Sequence, residues 1–394
     1  MHILIATDQH PESLGGAQVS IRLQKRYLEK AGHTVSVLSA GMRREHADDP
    51  GYIDLPSVPI TFDREYSLSL PGRRTDKALD AAVAVRGPVD VVHVQGDFWG
   101  ALVGLRFAQR HRVPVVLTFH NNLEFGISKT MPVPGVVTRF LLRWQEHALG
   151  GARSVLRRDA WRYLNELALR ADAVTAPSHH FAAQLRQKGV ATEIDIVRTG
   201  TDDELIDEVL ARAHRHEGER PLLVWMGRMS HEKRVLEFLE AVKVADIDAE
   251  IRLYGQGLLL AKAREFATRN GLAGRIVFAG KVPYSGALTA IASADALVQT
   301  SIGFETQGMT VFEAAALGTL SIVSDPKIAA ELPDGVYVQP ADDSVEALAA
   351  VLAETAANAA SDALERPSPS ASEQFRQSFQ TARMIEIYER VTRG

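Results

Sequence analysis

The 394-residue chain contains no cysteine, which excludes a disulfide framework, a thiolate metal site and a cysteine nucleophile, and fits a reducing cytosol. It also lacks long apolar runs: none approaches the ~18 residues that a membrane-spanning helix needs. The first residues, "MHILIATD", have neither the basic flank nor the apolar length of a secretory signal, so the expectation is a cytoplasmic protein. A G-x-G-x-x-G turn is missing where "DQHPESLGGAQ" follows the first apolar run, which speaks against a dinucleotide-dependent dehydrogenase. Charge of a single sign is missing too. The formal net charge is −5, yet residues 1–200 carry 25 basic against 20 acidic residues and the remainder 19 against 29. A basic half suggests an anionic partner, lipid headgroups or nucleic acid. No recognisable nucleic-acid module accompanies it and the whole chain is acidic, so nucleic acid is not expected.

What is present is a rhythm. Short β-branched runs alternate with amphipathic helical patterns: "HILIATD", "TVSVLSA", "VDVVHVQ", "PVVLTFH", "ADAVTAPS" and "IDIVRTG", then, after a polar connector over 202–220, "PLLVWMGR", "AEIRLYG", "RIVFAG", "DALVQTS", "LSIVSD" and "GVYVQP". Runs without clean alternation belong to parallel strands covered by helices on both faces. The length exceeds what one core organises. The reading is therefore α/β, with two doubly wound, Rossmann-like domains facing a cleft, the default ligand site. Residues 1–200 with a closing helix over 374–394 form one domain, and residues 201–373 the other.

The chemistry concentrates in "IGFETQGMTVFEAAALG". A helix starting near Met309 presents free N–H groups and the positive end of its dipole, which favour an anion such as a diphosphate by about 0.3–2 kcal/mol. Gly308 permits close approach of a ligand to the backbone. Glu305 precedes that turn and can accept from sugar hydroxyls; Glu313, about one turn in, can take a ribose diol. Two carboxylates beside a phosphate site require compensating cations, and "GRMSHEKR" supplies Arg228 at a strand end and Lys233 at the opening of the next helix. Charge-assisted bonds from such groups contribute roughly 1.5–3 kcal/mol each. "DID" at 246–248 has the letters of a metal-binding D-x-D, but precedes a strand and reads as a turn; no metal and no cofactor is expected.

On these residues the chain resembles family 4 of the retaining, GT-B-fold glycosyltransferases. Glu305 and Glu313 match the family's E-x7-E signature, "GRMSHEKR" its G-R-x-x-x-x-K segment, and "ESLGGAQ" its first-domain glycine loop; the similarity extends from Met1 to the final helix. The resemblance implies a nucleotide-diphosphate sugar, a UDP- or GDP-hexose, as donor. Arg228 and Lys233 would hold the leaving diphosphate, with Gly15 and Gly16 facing it. Glu305, with the backbone of Thr306, Gln307, Gly308 and Met309, would hold the transferred sugar. Glu313 would bind the ribose, Val282 the nucleobase through its backbone, and His120 would face the donor sugar. Transfer would proceed with retention and without a protein nucleophile. Leu320, Arg234 and His231 depart from common family residues without removing a donor contact.

The acceptor is less explicit. Between Arg139 and Arg170 stand seven arginines against three acids, interleaved with Trp144, Leu156, Trp161 and Leu164. The stretch reads either as a surface for an anionic bilayer, at roughly 1 kcal/mol per headgroup contact, or as helices whose tryptophans pack in the core. "ETQGMTVFEA" is similar to the signature of glycerolipid glucosyltransferases of the family, so a lipid acceptor of diacylglycerol or phosphatidylinositol type is expected, with the enzyme peripheral on the inner membrane face. The rivals are a soluble or polysaccharide acceptor, and a nucleotide-sugar-binding protein without transfer activity.

Overall fold

The computed structural model describes all residues except 14–15, 46–47, 131–132, 217 and 394. The chain forms two compact units, residues 1–199 with 380–394, and residues 200–379. In the first unit the strands are β1 (His2–Ala6), β2 (Thr34–Ala40), β3 (Tyr52–Leu55), β4 (Val58–Pro59), β5 (Ser67–Leu68), β6 (Val91–Val94), β7 (Val115–Thr118), β8 (Ala173–Ala176) and β9 (Asp195–Ile196). Seven of them make one sheet ordered β3-β2-β1-β6-β7-β8-β9, every pair parallel. The strands β1, β6, β7 and β8 are buried along their whole length, which accounts for their unalternating apolar runs. "IDIVRTG" yields only the two residues of β9, because this edge strand pairs with Thr175 and Ala176 alone.

The second unit carries β10 (Leu222–Met226), β11 (Glu250–Tyr254), β12 (Ile276–Gly280), β13 (Ala296–Gln299), β14 (Leu320–Val323) and β15 (Tyr337–Val338), in a parallel sheet ordered β12-β11-β10-β13-β14-β15. In each sheet the order reverses once, between β1 and β6 and between β10 and β13. Such a reversal opens a crevice beyond the carboxyl ends of the two strands that flank it.

The closing helix, Gln377–Arg393, buries Met384, Ile387 and Tyr388 against Ile3, Ile5, Val35, Val37 and Val91 of the first sheet. The hydroxyl of Tyr388 lies 2.6 Å from His93 Nδ1. Phe375 instead ends a 3-10 turn, Pro369–Phe375, and stacks edge-on against Phe312 at 4.8 Å.

The arginine-rich stretch resolves into the helices Pro134–Leu149 and Ala160–Ala168. Trp161 and Leu164 are core residues, and Trp144 packs half-buried against the same cluster. The tryptophans thus serve the core reading. Glu166, buried, accepts from the backbone of Arg153 and Ser154 and pairs with Arg170, while Arg162 pairs with Glu146. The exposed remainder is a different set: Val133, Val136, Phe140 and Val155, with Arg139, Arg143, Arg157 and Arg158. Part of it lines a surface hollow of about 490 Å³ formed by Val136, Arg139, Phe140, Leu142, Arg143, Glu146 and Arg158.

Candidate active site

Beyond β10 and β13, at the reversal of the second sheet, lies a cavity of about 430 Å³ walled within that unit. Its walls include Lys233, Val282, Glu305, Gly308, Met309 and Glu313 from the sequence reading, together with Trp225, Tyr254, Lys281, Tyr284, Thr300 and Ser301, which that reading did not single out.

The loops around it pack backbone on backbone. The Gly255 N–H donates to Gly280 O at 2.8 Å, and the Gly227 N–H to Tyr254 O at 3.1 Å. A Cβ on Gly255, where φ is +127°, would lie 1.9 Å from the Gly227 carbonyl oxygen, so only glycine fits. Three strand ends are thereby fixed relative to one another.

Gly308, at φ +78°, ends the approach loop in the left-handed region, and the helix Met309–Ala316 begins at the next residue. It stops at Leu317 and Gly318, the latter at φ +68°. Met309 and Thr310 therefore put the helix's unpaired first N–H groups at the cavity wall. Thr306 and Gln307 precede this turn, Gln307 buried.

Glu313 is 5% exposed, and Tyr284 Oη donates to its Oε1 at 2.8 Å. Burial raises the Glu313 carboxyl to about 7, and the tyrosine bond acts in the opposite sense. The same burial and the neighbouring carboxylate hold the Tyr284 phenol well above its usual range.

Lys233 belongs to a short 3-10 turn, His231–Lys233; the helix proper, Val235–Ala245, follows after Arg234 in the left-handed region, where the sequence suggested a helix opening at Lys233. The Lys233 ammonium pairs with Glu305 Oε1 and lies 5.6 Å from the Phe304 ring centre. Ser301 Oγ donates to the same carboxylate oxygen at 3.1 Å. Arg228 stands two residues past β10 and is exposed; against the effect of burial, the hydrogen bond from Ser230 and a backbone N–H hold the Glu232 carboxylate below its usual range, with Arg228 and Lys233 adding less. Arg228 is not among the cavity walls. The cations bordering the cavity are Lys233 and Lys281.

In the first unit, Gly16 is the first residue of the helix Gly16–Lys30, and Gly15 lies outside the described residues. His120 follows β7 and donates from Nε2 to Gln95 Oε1 at 3.0 Å; burial lowers it to about 4, so it is neutral at pH 7. Beside it Asp97, buried, accepts from Asn121 Nδ2 at 2.7 Å and is raised to about 7, by burial first and by Asp8 in part.

Asp246 caps the helix Val235–Ala245 and pairs with Arg275, while Asp248 faces Arg220 at 3.7 Å ahead of β11. "DID" is thus a turn at the amino end of that strand, away from the cavity. Among the described residues no group of three His, Asp or Glu is placed to hold a metal ion, and no helix is long and apolar enough to cross a membrane.

Residues 14–205 match the family model described as Glycosyltransferase Family 4, and residues 220–358 the model described as Glycosyl transferases group 1. The alpha-monoglucosyldiacylglycerol synthase of Streptococcus pneumoniae is 26% identical over 81% of this chain and 70% of its own length. The phosphatidyl-myo-inositol mannosyltransferase of Mycolicibacterium smegmatis is 27% identical over 86% and 81%. The 2-deoxystreptamine N-acetyl-D-glucosaminyltransferase of Streptomyces fradiae is 25% identical over 78% and 74%. Among solved structures, Anabaena HepE in complex with UDP aligns over 99% of both chains at TM-score 0.67 and 16% identity. That likeness shows the fold, the GT-B class.

Proposed function

The chain belongs to glycosyltransferase family 4, and from that premise we propose that it moves a hexose from a UDP- or GDP-sugar, with retention of configuration, to a hydroxyl of a membrane lipid of diacylglycerol or phosphatidylinositol type. The observation that carries the donor half is the convergence of Lys233, Glu305, the start of the helix Met309–Ala316 and Glu313 on one cavity.

On this reading the helix start and Lys233 take the diphosphate, Glu305 takes hydroxyls of the sugar, Glu313 takes the ribose diol, and the backbone at Val282 meets the base. Charge that develops on the leaving diphosphate is met by fixed N–H groups and by the ammonium, the kind of preorganised stabilisation that accelerates group transfer. The two glutamates serve different ends of one donor, so they do not form a glycosidase pair, in which both carboxylates flank the scissile bond. Arg228, exposed and next to the wall residue Gly227, reaches the diphosphate by reorienting its long side chain. With cations already present, no divalent ion is needed in this scheme.

Support for a lipid acceptor comes from the activities for which the pneumococcal and mycobacterial relatives are named and from the arginine-edged hollow around Phe140. The streptamine-directed relative favours the second reading, a soluble acceptor. The test is a panel of UDP-, GDP- and ADP-hexoses with lipid and soluble acceptors, read by mass spectrometry and by NMR of the new anomeric centre. An α-linked glycolipid from an α-configured donor is expected. Inverted product, or transfer to soluble acceptors alone, would overturn the mechanism or the acceptor respectively. Nucleotide-sugar binding without any transfer would leave only a binding protein.

A further inference from the structure

Two adjacent hydroxyls at the end of β13 hold the Lys233–Glu305 pair, one on each partner. Thr300 Oγ1 donates to the Lys233 carbonyl oxygen at 2.6 Å and accepts from Trp225 Nε1 at 2.9 Å. Ser301 Oγ donates to Glu305 Oε1 at 3.1 Å. Thr300, Ser301 and Trp225 are each at most 2% exposed, so water does not substitute for these bonds.

We propose that Thr300 and Ser301 are positioning residues for hexosyl transfer, Thr300 with Trp225 fixing the main chain that carries Lys233, and Ser301 keeping Glu305 in place once the ammonium leaves it. The proposal rests on the donor-site reading above. In the ligand-free chain the ammonium and the carboxylate engage each other. During transfer they take different parts of the donor, so the pair opens while each partner keeps its station.

The hydrogen-bond capacities explain how. A threonine hydroxyl has one hydrogen to give; here it is spent on Lys233 O, while the indole N–H fills an acceptor position and sets the rotor. Trp225 is packed in the core of the unit with Leu223, Val298 and Ile322, which makes the anchor rigid. The tie matters because Lys233 sits in a three-residue 3-10 turn rather than a full helix, where its own N–H bonds Ser230 O at 3.1 Å. Backbone held and side chain mobile is what a lysine needs to swing between two anions. Ser301 addresses the same oxygen, Oε1, that the ammonium gives up, and a hydroxyl bond to a carboxylate is charge-assisted. Both residues directly follow β13, the strand flanking the sheet reversal, so one strand end sets both partners.

The test uses the full chain with UDP-hexose and acceptor. Ser301→Ala is expected to lower kcat by about tenfold, the loss of one charge-assisted bond, with UDP affinity by calorimetry within about twofold of the parent. Thr300→Val, isosteric but unable to donate, is expected to weaken UDP binding by about fivefold and to lower kcat/KM, whereas Thr300→Ser restores both. In a Glu305→Ala background, Ser301→Ala is expected to have no further effect on transfer, as two groups acting in one unit are not additive.

Parent-like kinetics in both variants would overturn the proposal. So would an unchanged Ser301→Ala effect without Glu305, or a Thr300→Ser variant as impaired as Thr300→Val with a lowered melting temperature, which marks a purely structural role. Absence of binding of UDP, GDP and ADP alike by the parent protein would refute the donor-site reading itself, a separate outcome.

Discussion

With Glu313 taking the ribose diol as proposed, its buried carboxyl should make donor binding depend on pH in a way that one hydrogen bond controls. Its folded-state value, about 7, lies well above the ordinary carboxylate range because burial disfavours the charge. Below pH 7 the group is protonated and loses acceptor capacity for the ribose diol; above it the carboxylate is formed. A nucleotide-diphosphate sugar has no secondary phosphate ionisation, so the donor's phosphates contribute no competing step. The donor KM is therefore expected to be flat above about pH 8 and to rise as pH falls through 7. Tyr284→Phe removes the phenol that donates to Oε1 at 2.8 Å. A bond to a charged group is worth about 1.5–3 kcal/mol, and 1.36 kcal/mol is one pKa unit, so the inflection should move up by roughly one to two units. Initial rates against donor concentration from pH 5.5 to 9.5, for parent and variant, read both inflections. A KM independent of pH between 6 and 8, or a Tyr284→Phe inflection at the parent position, would refute the reasoning.

Other expectations follow from the same geometry. Glu305→Gln releases Lys233 from its partner, so transfer should fall by about tenfold or more while UDP binds at least as tightly as to the parent; equal loss of both would place Glu305 at the nucleotide. Gly255→Ala forces a Cβ to 1.9 Å from the Gly227 carbonyl at φ +127°, and should cost about 3 kcal/mol or more of stability, seen as a lowered melting temperature. Turnover should survive a chelator, since in the proposed scheme Lys233 and the helix start meet the diphosphate charge; abolition with rescue by Mg²⁺ or Mn²⁺ would contradict this. Arg139, Arg143 and Arg158 changed together to Glu should abolish salt-sensitive sedimentation with anionic liposomes, and unchanged sedimentation would remove that hollow from consideration.

How much of this was legible in the sequence depended on whether the signal was local. Glu305, Gly308 and Glu313 fall within nine consecutive residues, and a left-handed glycine before a helix is a local device, so spacing alone placed them. The βα rhythm was equally local. Trp225, Thr300 and Tyr284 come from separate segments, and meet Lys233 and Glu313 because β10 lies beside β13 and because the loop after β12 returns to the same crevice. No spacing encodes that. The arginine-rich stretch left two readings open for another reason: a helix facing a core and one facing a bilayer share the same 3.6-residue period. Only burial separates Trp161, inside, from Phe140, outside. Lys233 was expected to open a helix, but Arg234 adopts the left-handed region and delays the helix to Val235, leaving the lysine on a short turn whose tie to Thr300 spans 67 residues.

In the proposed mechanism the ammonium of Lys233 exchanges Glu305 for the donor's diphosphate. A crystal structure of the protein with the UDP- or GDP-hexose that it binds tests this directly. The Lys233 Nζ is expected within hydrogen-bond distance of a diphosphate oxygen, with Glu305 turned to the sugar and still held by Ser301. A bound donor with Lys233 still on Glu305, and its diphosphate elsewhere, would contradict the account.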